Sequence, residues 1–288
     1  MKIAAAVILY HPDDTTQQRI TSYVKFVNKL YVLDNTENNS NSFNLLKDVL
    51  NQAHVVYIHD NENKGISIRL NQAAYLAQQE NCEWLLTMDQ DSHFPDAMVP
   101  AYFNCIENYE YKSQTAMFGV QFSDKIAAKN ICTPEEVPHL ITSGSVINLS
   151  LFQKIGNFDE ALFIDKVDHE YCLRARLFNY KTVQFSNIFL SHNLGKVSFG
   201  RSLKNFKLTP RVLHSPIRMY YILRNYLYLR SKYKGLFQES FNEMKKEVFN
   251  RTKNNLLYGN NKSQLLKYLL KGYSDYKSGK MGKVDFDN

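Results

Sequence analysis

The stretch Trp84–Phe94, WLLTMDQDSHF, decides how the sequence is interpreted. It begins with five residues typical of a buried strand and then runs directly into two carboxylates, Asp89 and Asp91. Side chains two positions apart on an extended backbone point to the same side, so these like charges would repel each other. A divalent cation would remove the repulsion, because Mg²⁺ and Mn²⁺ prefer carboxylate oxygens and usually take one or two from the protein. The stretch therefore predicts a metal site at a strand end, against the alternative of a solvated turn.

The segments before this stretch alternate between strand-like and helix-like patterns, which predicts an α/β fold with a sheet covered on both faces. The predicted strands cover residues 3–10, 29–33, 54–58 and 84–88, and the clearest predicted helix covers residues 67–79. Ligands bind beyond the carboxyl ends of the strands in such sheets. The polar groups that follow three of these strands are therefore expected to meet at one edge: Tyr10 with His11, Asp34 with Asn35, and Asp89 with Asp91.

The second half of the chain predicts strands over 115–122, 140–148 and 181–185, a helix over 168–178, and three helical pieces from residue 216 onward. Asp168 and Glu170 lie at the start of the helix predicted over 168–178. Acidic residues commonly cap a first turn, which accounts for Glu170. Asp168 is a candidate general base toward a substrate hydroxyl. His192, after the strand over 181–185, is a candidate metal ligand, although a lone histidine is more often structural.

Charge is distributed unevenly along the 288 residues. Residues 1–195 carry 15 Lys and Arg against 22 Asp and Glu, whereas residues 196–288 carry 20 against 6. Between Lys196 and Lys234 there are ten basic residues, seven aromatic residues and no acid. The C-terminal part therefore predicts an anionic partner, such as a phospholipid headgroup, a diphosphate or a nucleic acid.

Other bulk features narrow the class of protein. The four cysteines contain no CxxC pair, which argues against a zinc ribbon or a disulfide framework and suits a reducing cytosol. No apolar run approaches the roughly 18 residues of a membrane span. The apolar N-terminus runs directly into charge and is interpreted as a first strand rather than a signal peptide.

Taken in order, the motifs resemble glycosyltransferase family 2, and within it the bacterial rhamnosyltransferase-like branch that builds polysaccharides. The matching segments are VILYHPD, YVLDNT, NKGISIRLNQA, LLTMDQDSHF, TSGSVIN, GNFDEALFIDKVDHEYCLRARLFNY, LSHNLG and HSPIRMYYILRN. The resemblance implies a GT-A type fold, with a Rossmann-like central mixed sheet flanked by helices. It implies a nucleotide-sugar transferase domain over residues 1–215 and a basic helical C-terminal extension over residues 216–288.

The resemblance also implies roles for individual residues. Asp89 and Asp91 would bind Mg²⁺ or Mn²⁺ together with His192, and Asp168 would be the catalytic base of an inverting transfer. The residues implied at the nucleotide sugar are Tyr10, Asp34, Asn63, Gly65, Arg69, Asn71, Gln90, Arg218, Tyr221 and Arg224. Those implied at the acceptor are Ser143, Gly144, Asp165 and His169. Tyr171 stands where the family often has Trp or Phe, a difference that concerns the acceptor contacts and not the chemistry.

The expected function is transfer of a sugar, L-rhamnose from dTDP-rhamnose, to a hydroxyl of a glycan or lipid-diphosphate-linked acceptor in cell-surface polysaccharide (O-antigen) synthesis. UDP-linked galactofuranose, galactose or glucose is the alternative donor. Nucleic-acid binding by the basic part would leave the strand-end acids unexplained, and a non-catalytic sugar-binding protein would not need Asp168. The expected location is the cytoplasm, with residues 196–288 holding the chain against the anionic inner face of the cytoplasmic membrane.

Overall fold

A computed structural model describes residues 1–38, 41–95, 97–122, 132–192, 197–201 and 207–286. The side chains of residues 192, 197–201 and 210 lie outside this description. The chain divides into two compact units, which we describe separately. The first unit covers residues 1–160 and 167–193, and the second covers residues 161–166 and 194–288. The domain boundary between residues 215 and 216 stays a prediction.

Strands and helices alternate in the first unit. Its strands are β1 (Ile3–Leu9), β2 (Lys29–Asp34), β3 (Val55–His59), β4 (Trp84–Asp89), β5 (Ser92–His93), β6 (Thr115–Phe122), β7 (Pro134–Glu136), β8 (Ser145–Asn148) and β9 (Lys181–His192). Its helices are α1 (Thr16–Val24), α2 (Ser42–Leu45), α3 (Lys47–Leu50), α4 (Ile66–Gln79), α5 (Met98–Glu107), α6 (Leu149–Ile155) and α7 (Val167–Leu177).

These strands form a mixed sheet in the order β3-β2-β1-β4-β8-β6-β9-β5, with β7 also pairing with β9. The first four strands are parallel, and β8 is antiparallel to both of its neighbours. Every residue of β1 is buried, because a parallel strand covered on both faces needs apolar side chains on both sides. The predicted fold class, a central mixed sheet flanked by helices, is confirmed.

Some predicted elements differ from the observed ones. The strand predicted over 140–148 forms only over Ser145–Asn148, because Gly144 has a φ of 76° that breaks the extended backbone. The strand predicted over 181–185 continues to residue 192, beyond a register shift against β6 between Val120 and Gln121. This extension is the feature that brings β9 to the strand β5.

Two of the four cysteines form a disulfide, which corrects the expectation that argued against such pairing. Cys105 on α5 is bonded to Cys132, while Cys82 and Cys172 are buried free thiols. The two bonded residues are 27 positions apart. Spacing alone gave no sign of the pair, because only the packing of α5 brings Cys105 to the segment before β7.

The second unit contains three helices and one hairpin within the described residues. The helices are α8 (Pro216–Lys232), α9 (Gln238–Tyr258) and α10 (Lys262–Lys277), and the strands β10 (Val197–Arg201) and β11 (Leu208–Val212) pair antiparallel. Ser215 caps α8, because its Oγ accepts a hydrogen bond from the Arg218 backbone N–H at 3.3 Å. The three predicted helical pieces are thus confirmed as helices.

Most of the aromatic residues that the sequence suggested for a membrane surface lie inside the second unit instead. Tyr220, Tyr221, Tyr226 and Tyr233 are all buried. The hydroxyl of Tyr220 donates to Asp275 Oδ2 at 2.8 Å, which ties α8 to α10. These four rings form the core of the helical layer, so they are not available to the membrane surface that was expected for residues 196–288.

His214, in the second unit, is expected to make the free energy of unfolding depend on pH. Burial, followed by the charge of Arg251, lowers the pKa of His214 from 6.5 to about 4, and Arg251 Nη1 lies 2.7 Å from His214 Nε2. Between these values the unfolded chain binds more protons than the folded chain, so this contribution to stability is full above pH 6.5 and is lost as pH falls toward 4. We expect His214→Gln to flatten the pH dependence of the unfolding free energy in this window, measured by urea denaturation; an unchanged pH dependence would contradict the assignment.

Candidate active site

The two predicted metal-binding acids flank the end of β4. Asp89 closes the strand beside Ile8 of β1, and its backbone N–H donates to Ser143 Oγ at 3.2 Å. Asp89 and Asp91 are both partly buried. Ser92, the residue after Asp91, pairs with residue 192 at the end of β9. The backbone therefore brings residue 192 within one position of Asp91, although the His192 side chain lies outside the described residues.

The donor set at this strand end fits a divalent cation. Two carboxylates one residue apart are the number that Mg²⁺ or Mn²⁺ usually takes from a protein when phosphate and water supply the remaining oxygens. The Tyr23 hydroxyl nearby is neutral, since burial and then the charge of Asp89 raise its pKa. Among the described side chains, no group of three His, Cys, Asp or Glu residues is placed to hold a metal.

Gln90, between the two acids, joins the ends of two neighbouring strands. Its Oε1 accepts from the Tyr10 N–H at 2.8 Å, and its Nε2 donates to the Tyr10 carbonyl at 3.0 Å. Arg19 Nη1 donates to the Gln90 carbonyl at 3.3 Å and pairs with Asp13. These bonds fix the backbone that carries Asp89 and Asp91. Donor contact by Gln90 stays a prediction, and its amide is engaged with the backbone.

Several of the predicted nucleotide-binding residues meet at the ends of β1 and β2. Tyr10 is 46% exposed, and its hydroxyl is hydrogen-bonded to Glu37 and Asn63. Burial and then the charge of Glu37 raise the pKa of Tyr10. Asp34 is fully buried. Its carboxylate accepts from the Thr36 N–H at 2.9 Å and from the Tyr57 hydroxyl at 2.8 Å.

Sequence reasoning missed Glu37 and Tyr57 at this edge. Glu37 lies in a polar loop, where one acid gives no pattern, and Tyr57 follows an ordinary strand alternation. Asp34 was selected because it lies at the end of a strand. Tyr57 lies within a strand, so predicting it would have required the pairing of β2 with β3, in which Val32 is opposite Tyr57. The site therefore contains an acid and a phenol that no local motif indicated.

Arg69, another predicted donor-binding residue, has a structural role. Arg69 is fully buried and donates to Asn35 Oδ1 at 2.8 Å, to the Asp34 carbonyl at 3.0 Å and to the Asp60 carboxylate. Burial alone would raise the pKa of Asp60, but the hydrogen bonds from Arg69 and Lys64 lower it to about 2. These contacts anchor α4 to the end of β2, so any contact of Arg69 with a donor stays a prediction.

The turn before α4 is held by a hydrogen bond between two of its own residues, Asn63 and Gly65. Gly65 has a φ of 83°, a conformation that glycine adopts without strain, and its N–H donates to Asn63 Oδ1 at 3.1 Å. Asn71, on α4, accepts from the Phe158 N–H at 2.8 Å and donates to Glu160 Oε1 at 2.9 Å. Asn71 therefore braces the loop before α7, and its predicted role at the nucleotide sugar is untested.

The candidate base Asp168 is the second residue of α7. Its Oδ1 accepts from the His169 backbone N–H at 2.8 Å and lies 2.9 Å from His169 Nδ1. The His169 ring stacks on His139 with centroids 4.7 Å apart. The Asp168 side chain is 16% exposed. A carboxylate held in this way keeps one oxygen oriented by the histidine, which suits a group that must accept a proton at a defined position.

Glu170 is occupied by an ion pair and is not equivalent to Asp168. It is fully buried, and Arg174 donates to both of its oxygens, at 3.1 Å and 2.7 Å. Arg174 also donates to the carbonyls of Ile155 and Asn157. The pair therefore ties α7 to the end of α6, and a bidentate Arg–carboxylate pair is among the stronger polar contacts in proteins.

We expect Glu170→Gln to lower the free energy of unfolding by about 2 kcal/mol, because it leaves a largely buried guanidinium without its counter-charge. Urea denaturation measures this loss, and the specific activity of the folded variant should stay close to that of the wild type. A variant of wild-type stability would show that the ion pair contributes nothing.

Ser143 and Gly144, predicted at the acceptor, are buried beside the predicted metal-binding acids. Ser143 Oγ donates to Ser92 Oγ at 2.8 Å, and the Gly144 N–H donates to the Thr87 carbonyl at 2.8 Å. These bonds fasten the loop before β8 to β4 and β5. Acceptor contact by either residue stays a prediction, and what the structure supplies is a rigid support for Asp89.

We expect Gly144→Ala to destabilise the fold by about 2 kcal/mol. Its φ is strained for a side chain, and an added Cβ would lie 2.8 Å from Val120 Cγ2 and 2.9 Å from Leu190 Cδ2. Gly235→Ala is the matched control, since Gly235 also has a positive φ but no atom within 4 Å of its added Cβ. Urea denaturation should show a clearly smaller loss for the control.

The remaining predicted residues belong to the second unit. Arg218 is exposed and pairs with Asp165, with Nη2 and Oδ1 3.2 Å apart. Tyr221 is buried, and its hydroxyl accepts from the Val284 N–H at 3.0 Å. Arg224 is 1% exposed and donates to the Tyr220 hydroxyl at 3.0 Å and to the Gly282 carbonyl at 2.9 Å. Arg218 is thus the basic side chain of this group that solvent reaches.

Comparison with known proteins gives the class. No family model matches the chain. It is 25% identical over 249 residues to the dTDP-rhamnosyl transferase RfbF of Shigella flexneri, covering 80% of this chain and 81% of the relative. Its fold is similar to the crystal structure of S. aureus TarS, with a TM-score of 0.57, 14% identity, and coverage of 95% of this chain and 49% of TarS. It is also similar to GalNAc-T7 with UDP, GalNAc and Mn²⁺, with a TM-score of 0.59, 12% identity, and coverage of 96% and 56%.

The chain thus spans about half the length of these two solved structures. The likeness shows a GT-A fold, as the sequence motifs predicted. With the strand-end carboxylates and the similarity to a sugar transferase, it identifies the chain as a glycosyltransferase of the GT-A fold. Within that class, the sequence is similar to an enzyme that is named for dTDP-rhamnose.

Proposed function

We propose that the chain is an inverting, metal-dependent glycosyltransferase that moves L-rhamnose from dTDP-rhamnose to a hydroxyl of a glycan or lipid-linked glycan. The observation that carries the proposal is the pair Asp89 and Asp91 at the carboxyl end of β4 in a GT-A sheet. Similarity to a dTDP-rhamnosyl transferase supports the donor, and a fold neighbour that holds UDP and Mn²⁺ supports a nucleoside diphosphate and the ion.

In this proposal each strand end has a task toward the donor. Tyr10, partly exposed and hydrogen-bonded to Asn63, offers its ring to the base, and Asp34 orients Tyr57 at the same edge. Asp89 and Asp91 would hold Mg²⁺ or Mn²⁺, with His192 as a further ligand. When bound, the ion neutralises charge on the departing diphosphate without a proton transfer. Arg218 on α8 is an exposed basic side chain paired with Asp165, and its contact with the diphosphate stays a prediction.

The transfer itself is a single displacement. The acceptor hydroxyl oxygen forms a bond to the anomeric carbon as the bond from that carbon to the phosphate oxygen breaks, so the configuration inverts. Asp168 takes the hydroxyl proton, and dTDP leaves with the electron pair of the broken bond. His169 holds Oδ1 of Asp168 at 2.9 Å, which keeps the carboxylate oriented for this proton transfer.

A donor screen tests this function. The protein is mixed with dTDP-rhamnose, UDP-galactose, UDP-glucose or UDP-galactofuranose, with and without Mn²⁺, and release of the nucleoside diphosphate is measured. We expect release from dTDP-rhamnose that depends on the ion. Faster release from a UDP-linked sugar would assign the alternative donor, and no binding of any nucleotide sugar in calorimetry would refute the proposal.

A lipid-linked acceptor would place the reaction at a membrane surface. No described helix is long and apolar enough to cross a bilayer. We propose that the chain works in the cytoplasm at the inner membrane face, where a lipid-diphosphate acceptor for polysaccharide synthesis would be embedded, and that the extension over residues 216–288 supports this location while residues 1–215 carry the transferase. The support is charge: the described residues 207–286 contain 17 Lys and Arg against 5 Asp and Glu.

A further inference from the structure

The outward face of α10 carries an apolar stripe with a lysine at each end. Leu266, Leu270 and Tyr273 are 50%, 71% and 51% exposed, and their spacing of four and three residues places them on one side of the helix. Exposed Lys262 and Lys277 lie four residues before Leu266 and four residues after Tyr273, on the same side. We call these five residues the α10 stripe.

The opposite face of α10 is anchored inside the second unit. Leu265 is buried, and Asp275 accepts from the Tyr220 hydroxyl at 2.8 Å. Gly272 lies against α8 so closely that an added Cβ would sit 3.1 Å from the Tyr220 carbonyl oxygen. The helix cannot rotate its stripe into the core without breaking these contacts. Three large apolar side chains therefore stay in water unless a partner covers them.

The charge around the stripe selects an anionic partner. Residues 248–274 contain five Lys and Arg and no acid, and Asp275 is the one acid in the sequence of α10. It lies on the packed face, paired with Lys271 at 3.1 Å. A stripe of apolar side chains with lysines at its ends matches the surface of an anionic bilayer. Leucine and tyrosine can enter the acyl boundary while lysine ammonium groups reach the headgroup phosphates.

We propose that the α10 stripe docks the protein on an anionic phospholipid bilayer, with α10 lying parallel to the membrane surface. The inference rests on the proposed function in one respect, because a lipid-linked acceptor is what would bring the protein to a membrane. A nucleic acid would use the lysines but would leave Leu266 and Leu270 uncovered. A second copy packed across a two-fold axis would bring Lys262 of one copy near Lys277 of the other, where like charges repel.

Vesicle flotation tests the surface, using phosphatidylcholine with or without phosphatidylglycerol at low and high salt. We expect the wild type to float with phosphatidylglycerol vesicles at low salt and to be released at high salt. Lys262→Gln combined with Lys277→Gln should lower the partition coefficient about 30-fold, since each lysine near an anionic surface contributes about fivefold. Leu270→Gln should lower it about tenfold, because it removes an apolar side chain that would be buried.

The matched control is Lys25→Gln combined with Lys47→Gln, which makes the same charge change at exposed sites of the first unit and should float as the wild type does. A wild type that ignores phosphatidylglycerol, or stripe variants that float normally, would overturn the inference. A dimer in light scattering that Leu270→Gln converts to a monomer would overturn it too. Nucleoside diphosphate release without vesicles is measured in parallel, so a chain that floats but transfers no sugar would refute the function and leave the docking surface standing.

Discussion

Replacing Asp91 with asparagine is expected to lower kcat/KM about 10³-fold. Asp91 is one of two carboxylates at the end of β4, and it precedes the strand β5 that pairs with residue 192. An amide offers a neutral oxygen where a divalent cation prefers a carboxylate. Such an ion stabilises the developing charge by several kcal/mol. A loss of about 4 kcal/mol would lower the rate a thousandfold.

Steady-state kinetics with dTDP-rhamnose measure this effect, with Asp14→Asn as the control, because Asp14 is an exposed acid before α1. Calorimetric titration with Mn²⁺ should show weaker binding to the Asp91 variant and unchanged binding to the control. Full turnover of the wild type in excess EDTA would contradict the metal assignment, whatever the variant does.

Replacing Asp168 with asparagine is expected to lower kcat by 10²- to 10⁴-fold, roughly the range that a lost general base produces. The folded structure should persist, because asparagine keeps the side-chain oxygen that accepts from the His169 N–H at 2.8 Å. The affinity for the donor should also persist, since Asp168 acts on the acceptor hydroxyl. The measurements are kcat with acceptor present and calorimetric donor binding.

Glu170→Gln is the matched comparison, on the same helix and two residues later. Its carboxylate is already taken by Arg174, so the change should affect stability rather than kcat. An active Asp168→Asn variant beside a folded but inactive Glu170→Gln variant would show that the base was assigned to the wrong acid. Loss of donor binding in Asp168→Asn would instead make it a binding residue.

The parallel half of the sheet and the C-terminal helices could be predicted from the sequence, because each is a local pattern. β1 and β4 are short apolar runs, and α4 follows a turn that contains Gly65. The strand-end rule then selected Tyr10, Asp34 and the acids of β4, which the structure places at the carboxyl ends of neighbouring strands.

Apolar periodicity and strand-end polarity are encoded within a few residues, so local patterns were enough to predict the fold class and the edge of the sheet that carries the candidate site. Which polar side chains are already hydrogen-bonded within the protein depends on how distant segments pack. The sequence motifs suggested that Arg69, Asn71 and Gln90 bind a ligand. In the structure they form hydrogen bonds with residues 34, 87 and 80 positions away, respectively. The same holds for Tyr220 inside the helical layer and for the disulfide of Cys105. Such partners lie outside any local window, because a hydrogen bond or a buried ring is settled by which distant segments pack together.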